Sequence, residues 1–400
     1  MRVALLVDCY FPTTKSAAKL MHDLGAELRT RGHDVSLIAP AEGLDGDLHV
    51  ADEDGLRIVR IRSGRLKGAA RWARGLREVR LSATMWRRGR RHFAAHPCDL
   101  LVYYSPTVFF GALVRKLKAL WGCPAYLVLR DIWPQFLVET GVLGHGPLYW
   151  LFRRRELEQH EAADVIGVQS PGDLTYFAEH FPRRNFRVEV LHNWATLHEP
   201  EHPPAGHRRR LGLADKVVFF FGGNFGIAQD MDNLLRLATA LRDVPEAAML
   251  LVGGGSETPR VAAGIRERGL TNVVLHPAVD PATYMSMVSE FDVGLISLAA
   301  SFRIQNIPGK LLGYLYFALP VLASVNPGND LRAILHDADA GLCCLNGQDE
   351  EFARLARRLA GDRELRDRMG RNGRKLLETR FSAASAADQI LGHWTSRRSA

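Results

Sequence analysis

Short runs of apolar, often β-branched residues alternate with helix-like segments along this chain, and that alternation most constrains its fold. Such runs are typical of parallel strands, because helices cover both faces of a parallel sheet. Between the first two runs, Ala17–Arg31 shows helical periodicity and ends at Gly32, which predicts a βαβ unit. The runs of the first half are Arg2–Val7, Val35–Ala39, Leu100–Tyr103, Ala125–Leu129, Val165–Val168 and Val188–Leu191.

The same pattern starts again after a stretch rich in Pro, His and Glu near residues 198–206. The second series of strands is Val217–Phe221, Met249–Val252, Val273–Leu275, Val293–Ser297 and Val321–Ala323. A chain of 400 residues also exceeds one ordinary core. We therefore predict an α/β protein with two Rossmann-like domains, 1–197 and 198–382, that face each other across a cleft. Ligands of such sheets bind at the carboxyl ends of the strands.

Cysteine usage and hydropathy bear on the compartment. The five cysteines are odd in number and show no CxxC spacing, which argues against a disulfide framework and a zinc site. No stretch approaches the roughly 20 apolar residues of a spanning helix, and the apolar run at the amino terminus is too short for a signal peptide. We expect a cytoplasmic protein.

Much of the net charge of +8 comes from one basic segment, Arg57–Phe93, in which Glu78 is the only acidic residue. Aromatic residues interleave with its arginines, as in segments that lie on anionic bilayers. The alternatives are a solvated helix pair with its apolar side inward and, less favoured in a chain of enzymatic character, a nucleic-acid surface. The residues expected at a membrane are Arg71, Trp72, Arg74, Trp86, Arg87 and Arg88.

Two features point to an anion site in the second domain. The turn Gly222–Gly226 follows a strand and precedes a helix, so its backbone N–H groups and the helix N-terminus favour a diphosphate. The candidates there are Gly223, Asn224 and Gly226, although a tight strand–helix turn needs glycine in any case. Lys310 begins a predicted helix, where the helix dipole disfavours a cation unless an anion is present. Alternatively, Lys310 is a surface lysine that extends its ammonium into water.

Several motifs in a fixed order resemble the retaining family-4 glycosyltransferases of GT-B fold, especially those that build bacterial surface polysaccharides (O-antigen or capsule) from amino sugars. The resemblance covers nearly the whole chain. Its motifs are Tyr10-Phe11-Pro12, Arg31-Gly32-His33-Asp34-Val35, Arg130-Asp131-Ile132-Trp133-Pro134, Ala163-Asp164-Val165-Ile166 with Ser170, His192-Asn193-Trp194, Gly223-Asn224-Phe225-Gly226 with Gln229, Phe291-Asp292-Val293-Gly294-Leu295 and Ile307-Pro308-Gly309-Lys310-Leu311.

The resemblance implies that the first domain binds the acceptor and that the second binds a nucleotide sugar, with a UDP-linked N-acetylated or deoxy-amino sugar favoured. It implies a polyprenyl-diphosphate-linked saccharide as acceptor, at the inner face of the cytoplasmic membrane. No cofactor and no metal are implied. The family's last helix crosses back, so the helix at about 383–400 is expected on the first domain. The donor residues implied, besides Gly223, Asn224, Gly226 and Lys310, are Gln305, Pro308 and Leu311.

The chain departs from the family at several of these positions. Gln305 and Gly313 stand where many members carry two glutamates, Arg130 replaces a sugar-contacting histidine, and Thr14-Lys15-Ser16 replaces a glycine pair. Ribose contact then comes from elsewhere, affinity is lower, or the chain is inactive. Two rivals to a transferase stay open: a UDP-sugar 2-epimerase and a catalytically silent GT-B partner subunit.

Departure of a nucleoside diphosphate develops negative charge on phosphate oxygens, so preorganised cations and amides near it are the largest catalytic term available. Asp131, beside Arg130, is the carboxylate expected at the reacting centre as base or positioner, unless the two form a structural pair. Trp133 either lines a sugar subsite or packs beneath it, and Asn193 is expected to shape the cleft. Ser16 and Lys19, in the first loop and helix, complete the acceptor-side candidates.

Overall fold

The computed structural model describes residues 1–13, 16–64, 79–105, 107–139, 143–197, 205–301 and 307–395. The chain divides into two compact units. Met1–Thr196 and Ala383–Ala400 form the N-terminal unit, and Leu197–Ser382 forms the C-terminal unit. This division lies one residue before the expected boundary after residue 197.

The N-terminal unit is built on an eight-stranded sheet with the order β3-β4-β2-β1-β5-β6-β7-β8. Its strands are β1 Arg2–Leu6, β2 Asp34–Ala41, β3 Leu48–Glu53, β4 Leu56–Arg62, β5 Leu100–Tyr104, β6 Ala125–Val128, β7 Val165–Val168 and β8 Val188–Val190. Its helices before the division are α1 Ser16–Thr30, α2 Leu81–Ala95, α3 Gly111–Trp121, α4 Gln135–Glu139, α5 Pro147–Ala162 and α6 Pro171–His180. Neighbouring strands are parallel except β3 and β4, which pair in antiparallel fashion.

The C-terminal unit is built on a six-stranded parallel sheet with the order β11-β10-β9-β12-β13-β14. Its strands are β9 Val217–Asn224, β10 Ala247–Gly254, β11 Val273–Pro277, β12 Val293–Ser297, β13 Val321–Val325 and β14 Gly341–Leu345. Its helices are α7 His207–Arg210, α8 Met231–Ala240, α9 Thr258–Glu267, α10 Pro281–Val288, α11 Lys310–Tyr316, α12 Leu331–Asp337, α13 Asp349–Gly361 and α14 Arg363–Arg380. The two open, twisted sheets confirm the predicted pair of Rossmann-like domains.

The last helix, α15 Ala383–Thr395, returns to the N-terminal unit and packs on α1. Ile390 and Trp394 are buried in the same apolar cluster as Met21 and Leu24 of α1. The guanidinium of Arg31 donates to the carbonyl of Ala384 at 2.9 Å. The return of the C-terminal helix, implied by the family resemblance, is therefore confirmed.

The first residues of the basic segment Arg57–Phe93 have a different secondary structure from the one expected. Residues 56–62 form strand β4, in which three arginines are interspersed among four buried apolar side chains, so this part of the segment is not the helix of a solvated helix pair. The arginines are neutralised: Arg60 bonds Glu53 at 2.8 Å, and Arg62 bonds Asp47 at 3.0 Å. Leu56 and Ile58 are buried in the apolar cluster on one face of the sheet, and Val59 and Ile61 are buried in the cluster on the other face. The strand is therefore covered on both faces, as is typical of parallel strands. Strands β3 and β14 were not predicted from the sequence either.

Candidate functional site

The carboxyl edge of the second sheet carries the glycine-rich turn. Strand β9 ends with Gly223 and Asn224, both exposed, and β10 ends beside it. Gly223 (φ +133°) and Gly253 (φ +153°) adopt backbone conformations that disfavour side chains. A Cβ at Gly253 would lie 1.8 Å from the carbonyl oxygen of Gly223. Glycine is therefore required at position 253 so that the turns after β9 and β10 can approach each other.

The structure brings Lys310 to this turn. Lys310 is the first residue of α11, and its Nζ lies 3.3 Å from the centroid of the Phe221 ring in β9. A Cβ placed on Gly223 would be 3.7 Å from both Cε and Nζ of Lys310. Two candidates that are 87 residues apart in the chain are therefore neighbours at the end of one strand.

Lys310 is a cation without a carboxylate partner among the residues that the structure describes. Its side chain is partly exposed, but its ammonium lies over the Phe221 ring, and burial lowers its pKa to about 7. The face of an aromatic ring offsets only part of the cost of desolvating a cation. An anion placed beside Gly223 would supply the missing opposite charge and restore the ordinary pKa.

The remaining donor candidates divide into three groups. Gly226 is buried, and a Cβ on it would lie 2.6 Å from the Asn224 side-chain nitrogen, so it shapes the turn. Pro308 and Leu311 are also buried, and the Leu311 N–H donates to the Pro308 carbonyl at 3.0 Å. Their contact with a donor stays a prediction, and buried side chains favour contact through the backbone of these residues. Gln305 lies outside the described residues.

The position of Gly313 is open. A Cβ placed there would meet one neighbour within 4 Å, Cε1 of Tyr284, at 3.9 Å. A small side chain at position 313 would therefore fit without displacing any of the described residues. The chain offers no carboxylate at this position, as expected from the sequence.

A buried polar network that sequence analysis missed supports the turn. Asn233 donates to Ser297 Oγ at 3.0 Å, and Ser297 donates to the carbonyl of Asp230. The Asn346 amide donates to the Asp230 carboxylate at 2.9 Å. These bonds join the ends of β12 and β14 to the start of α8. The missed signals were the polar residue that ends β12, Ser297, and the polar residue directly after β14, Asn346, whose strand was not predicted.

In the N-terminal unit, Arg130 follows β6 and bonds the backbone just after β8. Its guanidinium donates to the carbonyls of Leu191 at 2.8 Å and His192 at 3.2 Å, and lies 5.3 Å from the Trp194 ring centroid. No ion pair joins Arg130 to Asp131 in the described parts of the chain, so the structural-pair alternative is not observed. Most of the donors of Arg130 are directed into the protein, which favours a positioning role over contact with a reacting group.

Asp131 retains the features expected of a proton acceptor. It is partly exposed at the carboxyl edge of the first sheet, and burial raises its pKa while the nearby charge of Arg130 opposes that rise. Trp133, two residues on, packs edge-on against Phe152 with ring centroids 6.4 Å apart. Asp173, which sequence analysis missed, caps α6 with Ser170, and burial raises its pKa to about 6.

The other acceptor-side candidates are placed as follows. Ser16 is exposed at the start of α1, and residues 14–15 lie outside the described residues. The ammonium of Lys19 bonds the Asp23 carboxylate at 2.7 Å, so Lys19 is already neutralised and is a poor candidate for a free diphosphate contact. The side-chain oxygen of Asn193 is buried and receives no hydrogen bond from the described residues, so it can accept a hydrogen bond from a substrate.

The expected membrane residues are only partly available. Trp86 is half-buried, with its ring 6.4 Å from Phe93 and the Lys116 ammonium 5.4 Å from its centroid. Arg88 pairs with Asp47 at 3.1 Å, whereas Arg87 is exposed. Trp86 and Arg88 therefore have partners within the protein, and their contact with a membrane stays a prediction. Arg71, Trp72 and Arg74 lie outside the described residues.

Among the described residues, no helix combines the length and apolarity needed to cross a bilayer. Within the same residues, no group of three or more His, Cys, Asp or Glu side chains is arranged to hold a metal ion.

Each unit matches a family model. The first is the glycosyl transferase 4-like domain, matched at residues 17–194, and the second is glycosyl transferases group 1, matched at residues 206–376. Together the two models span most of the chain.

Curated relatives cover less of it. The lipopolysaccharide core biosynthesis glycosyltransferase LpsD of Rhizobium meliloti is 29% identical over 209 residues, which are 51% of this chain and 56% of LpsD. Alpha-D-kanosaminyltransferase of Streptomyces kanamyceticus is 25% identical over 191 residues, 46% of this chain and 47% of the relative. The chain thus spans about half the length of the curated relatives it matches.

Solved structures match over the full length. Sucrose-phosphate synthase of Thermosynechococcus elongatus superposes with a TM-score of 0.71 at 17% identity, covering 100% of both chains. HepE of Anabaena, solved with UDP-glucose, superposes with a TM-score of 0.68 at 15% identity, covering 99% of this chain and 100% of HepE. At these identities the likeness concerns the fold. With both units matched by glycosyltransferase models and two Rossmann-like sheets, the chain belongs to the GT-B glycosyltransferases.

Proposed function

We propose that the protein is a family-4 retaining glycosyltransferase that moves a sugar from a nucleoside-diphosphate sugar to a lipid-linked saccharide during surface polysaccharide synthesis. UDP is the favoured nucleotide, and an N-acetylated or deoxy-amino sugar is the favoured donor sugar. The C-terminal unit binds the donor, the N-terminal unit binds the acceptor, and the protein works without a metal at the inner face of the cytoplasmic membrane.

The observation that carries this proposal is the pairing of Lys310 with Gly223. A cation that lacks a carboxylate partner among the described residues lies beside an exposed glycine at the carboxyl end of β9. This is the edge at which open α/β sheets bind ligands. A diphosphate fits the site because it brings negative charge to Lys310 and can approach the Gly223 backbone without meeting a side chain.

The same geometry suits the chemistry of transfer. As the bond between the anomeric carbon and the diphosphate breaks, negative charge grows on the phosphate oxygens, and Lys310 stabilises it more as it grows. In the proposed retaining route the leaving phosphate accepts the proton of the acceptor hydroxyl, so the chain needs no nucleophilic side chain. Asp131 orients that hydroxyl, and Arg130 holds the loop that carries Asp131.

The comparisons support the substrate class. LpsD is named for lipopolysaccharide core biosynthesis, the Streptomyces relative is named as a transferase of an amino sugar, and the HepE structure holds UDP-glucose. These names agree with the substrates that the sequence resemblance implies, which are a surface polysaccharide acceptor and a UDP-linked sugar.

The test is thermal unfolding of the full chain with UDP, GDP, TDP and a panel of UDP-sugars. A ligand at about 100 times its dissociation constant adds roughly 2.7 kcal/mol of stability, a visible shift. We expect UDP to stabilise the wild type and Lys310→Met to lose most of that shift, while Lys375→Met, a change of an exposed lysine in the same unit, retains it.

Three results would contradict the proposal. No shift with any nucleotide would favour the silent partner subunit. Release of UDP together with 2-epimerised sugar, in the absence of acceptor, would favour the epimerase. An unchanged UDP shift in Lys310→Met would remove the observation on which the donor site rests.

A further inference from the structure

Half of the most exposed large apolar side chains lie at one point of the N-terminal unit. Across the described residues these side chains are Val50, Leu120, Leu148, Trp150, Leu151 and Ile227. Trp150 is 64% exposed, Leu148 is 50% exposed and Leu151 is 37% exposed. These three occupy four consecutive positions in the first turns of α5, and we call residues 147–155 the α5 tip.

The tip lies before the point at which α5 contacts the start of α3. Gly111, the first residue of α3, lies so close to α5 that a Cβ on it would be 2.7 Å from the carbonyl oxygen of Glu158. About 16 Å of α5 precedes Glu158. Its inner side is anchored by Phe152, whose ring packs edge-on against Phe109 and Trp133.

Basic side chains adjoin the apolar ones. The side chain of Arg154 is 78% exposed and that of Arg155 is 33% exposed. Both contact Glu158, at 3.3 and 2.7 Å respectively, so two arginines share one carboxylate. An apolar surface with cationic side chains at its border has the composition of a helix that lies in a bilayer interface.

The distribution of charge between the units points the same way. The N-terminal unit contains 30 Lys and Arg against 22 Asp and Glu, whereas the C-terminal unit contains 22 of each. The entire net charge of +8 is therefore carried by the N-terminal unit, and the basic segment Arg57–Phe93 of that unit supplies it, with 13 Lys and Arg against one acidic residue. An anionic lipid surface attracts that unit, and a neutral surface does not.

We propose that the α5 tip docks the protein on an anionic lipid bilayer, with Leu148, Trp150 and Leu151 in the interface and Arg154 at the headgroups. The docking itself does not depend on the proposed glycosyl transfer. Its consequence for substrate does rest on that function: Phe152 joins the tip to Trp133, two residues from Asp131. Docking there would hold the acceptor candidates close to a lipid-linked saccharide.

The experiment is co-sedimentation of the full chain with vesicles of equal parts phosphatidylglycerol and phosphatidylcholine, and with phosphatidylcholine alone. The tip variant is Leu148→Gln, Trp150→Gln and Leu151→Gln combined. The matched control is Val50→Gln with Leu120→Gln, which removes exposed apolar side chains of the same unit away from the tip. Because all five side chains are exposed, both variants should keep the wild-type unfolding temperature.

We expect the wild type to bind the anionic vesicles and to release them in high salt. The tip variant should bind at least about 30-fold more weakly, because it loses three interfacial side chains, while the control stays within about twofold of the wild type. Brominated lipids should quench the tryptophan fluorescence of the wild type more than that of Trp150→Phe. The difference between the two reports insertion of the Trp150 ring.

Two outcomes overturn the inference. One is equal vesicle binding by the tip variant and the control, or none by the wild type. The other is a wild type that is a dimer without lipid and a tip variant that is a monomer, which would make a second copy of the chain the occupant. The UDP-induced thermal shift, measured on the same variants, separates this inference from the proposed function. A variant that loses vesicle binding can still be tested for UDP binding, and the reverse also holds.

Discussion

Replacing Lys310 by methionine tests the electrostatic reasoning at the proposed donor site before any substrate is known. Burial lowers the pKa of Lys310 from 10.5 to about 7. Because the folded pKa lies below the unfolded one, the unfolded chain binds more protons between these values, and stability rises with pH across that window. Keeping the lysine therefore destabilises the folded protein most at and below pH 7, and the cost disappears above pH 10.5.

The magnitude follows from linkage. With these two pKa values, the lysine costs more at pH 6.5 than at pH 9.5, by about 3 kcal/mol. Because the side chain is partly exposed, water relieves part of this cost, and we expect about half of the difference, roughly 1.5 kcal/mol. For a unit of this size that corresponds to about 3–6 °C in unfolding temperature.

The assay is thermal unfolding of wild type, Lys310→Met and the control Lys375→Met at pH 6.5 and 9.5. Lys310→Met should be more stable than the wild type, with the larger gain at pH 6.5, and the control should show no such dependence. Titration of the wild type with UDP near pH 8 should also take up protons, because a diphosphate raises the Lys310 pKa. A gain for Lys310→Met that is equal at both pH values, or no gain, would refute the reasoning.

Three further predictions concern the rest of the structure. Asp131→Asn should lower kcat by about 100-fold with little change in KM for the donor, measured in a transfer assay, because the acceptor hydroxyl loses the carboxylate that orients it; a changed donor KM with full kcat would contradict its role. Gly253→Ala should destabilise the protein by roughly 2–4 kcal/mol and abolish UDP binding, since its Cβ would overlap the Gly223 carbonyl, whereas Gly361→Ala, with open space around it, should be neutral in the same unfolding and binding assays. Ile390→Ala should cost about 2–5 kcal/mol in urea unfolding, because α15 completes the core of the N-terminal unit, and a cost near zero would show that the helix is dispensable.

Local sequence patterns predicted the elements of the sheets well. Runs such as Val165–Val168 are apolar on both faces, and burial of both faces leaves few arrangements other than a parallel strand between helices. Strand β4 was not predicted because its arginines were interpreted as surface charge. Its four apolar residues, three of them β-branched, are all buried, and they indicate a strand more directly than the sum of charges does.

The sequence by itself determined the two α/β units, the position of Lys310 at a helix start and the glycines of the β9 turn, because periodicity and backbone freedom are local properties. Only the tertiary structure decided what surrounds those residues. It placed Lys310 over Phe221 rather than beside a carboxylate, directed Arg130 to backbone carbonyls, and left the α5 tip bare. The charge state of a side chain, and whether it is accessible to a ligand, depend on neighbours that are distant in the chain. Tertiary packing determines which residues those neighbours are.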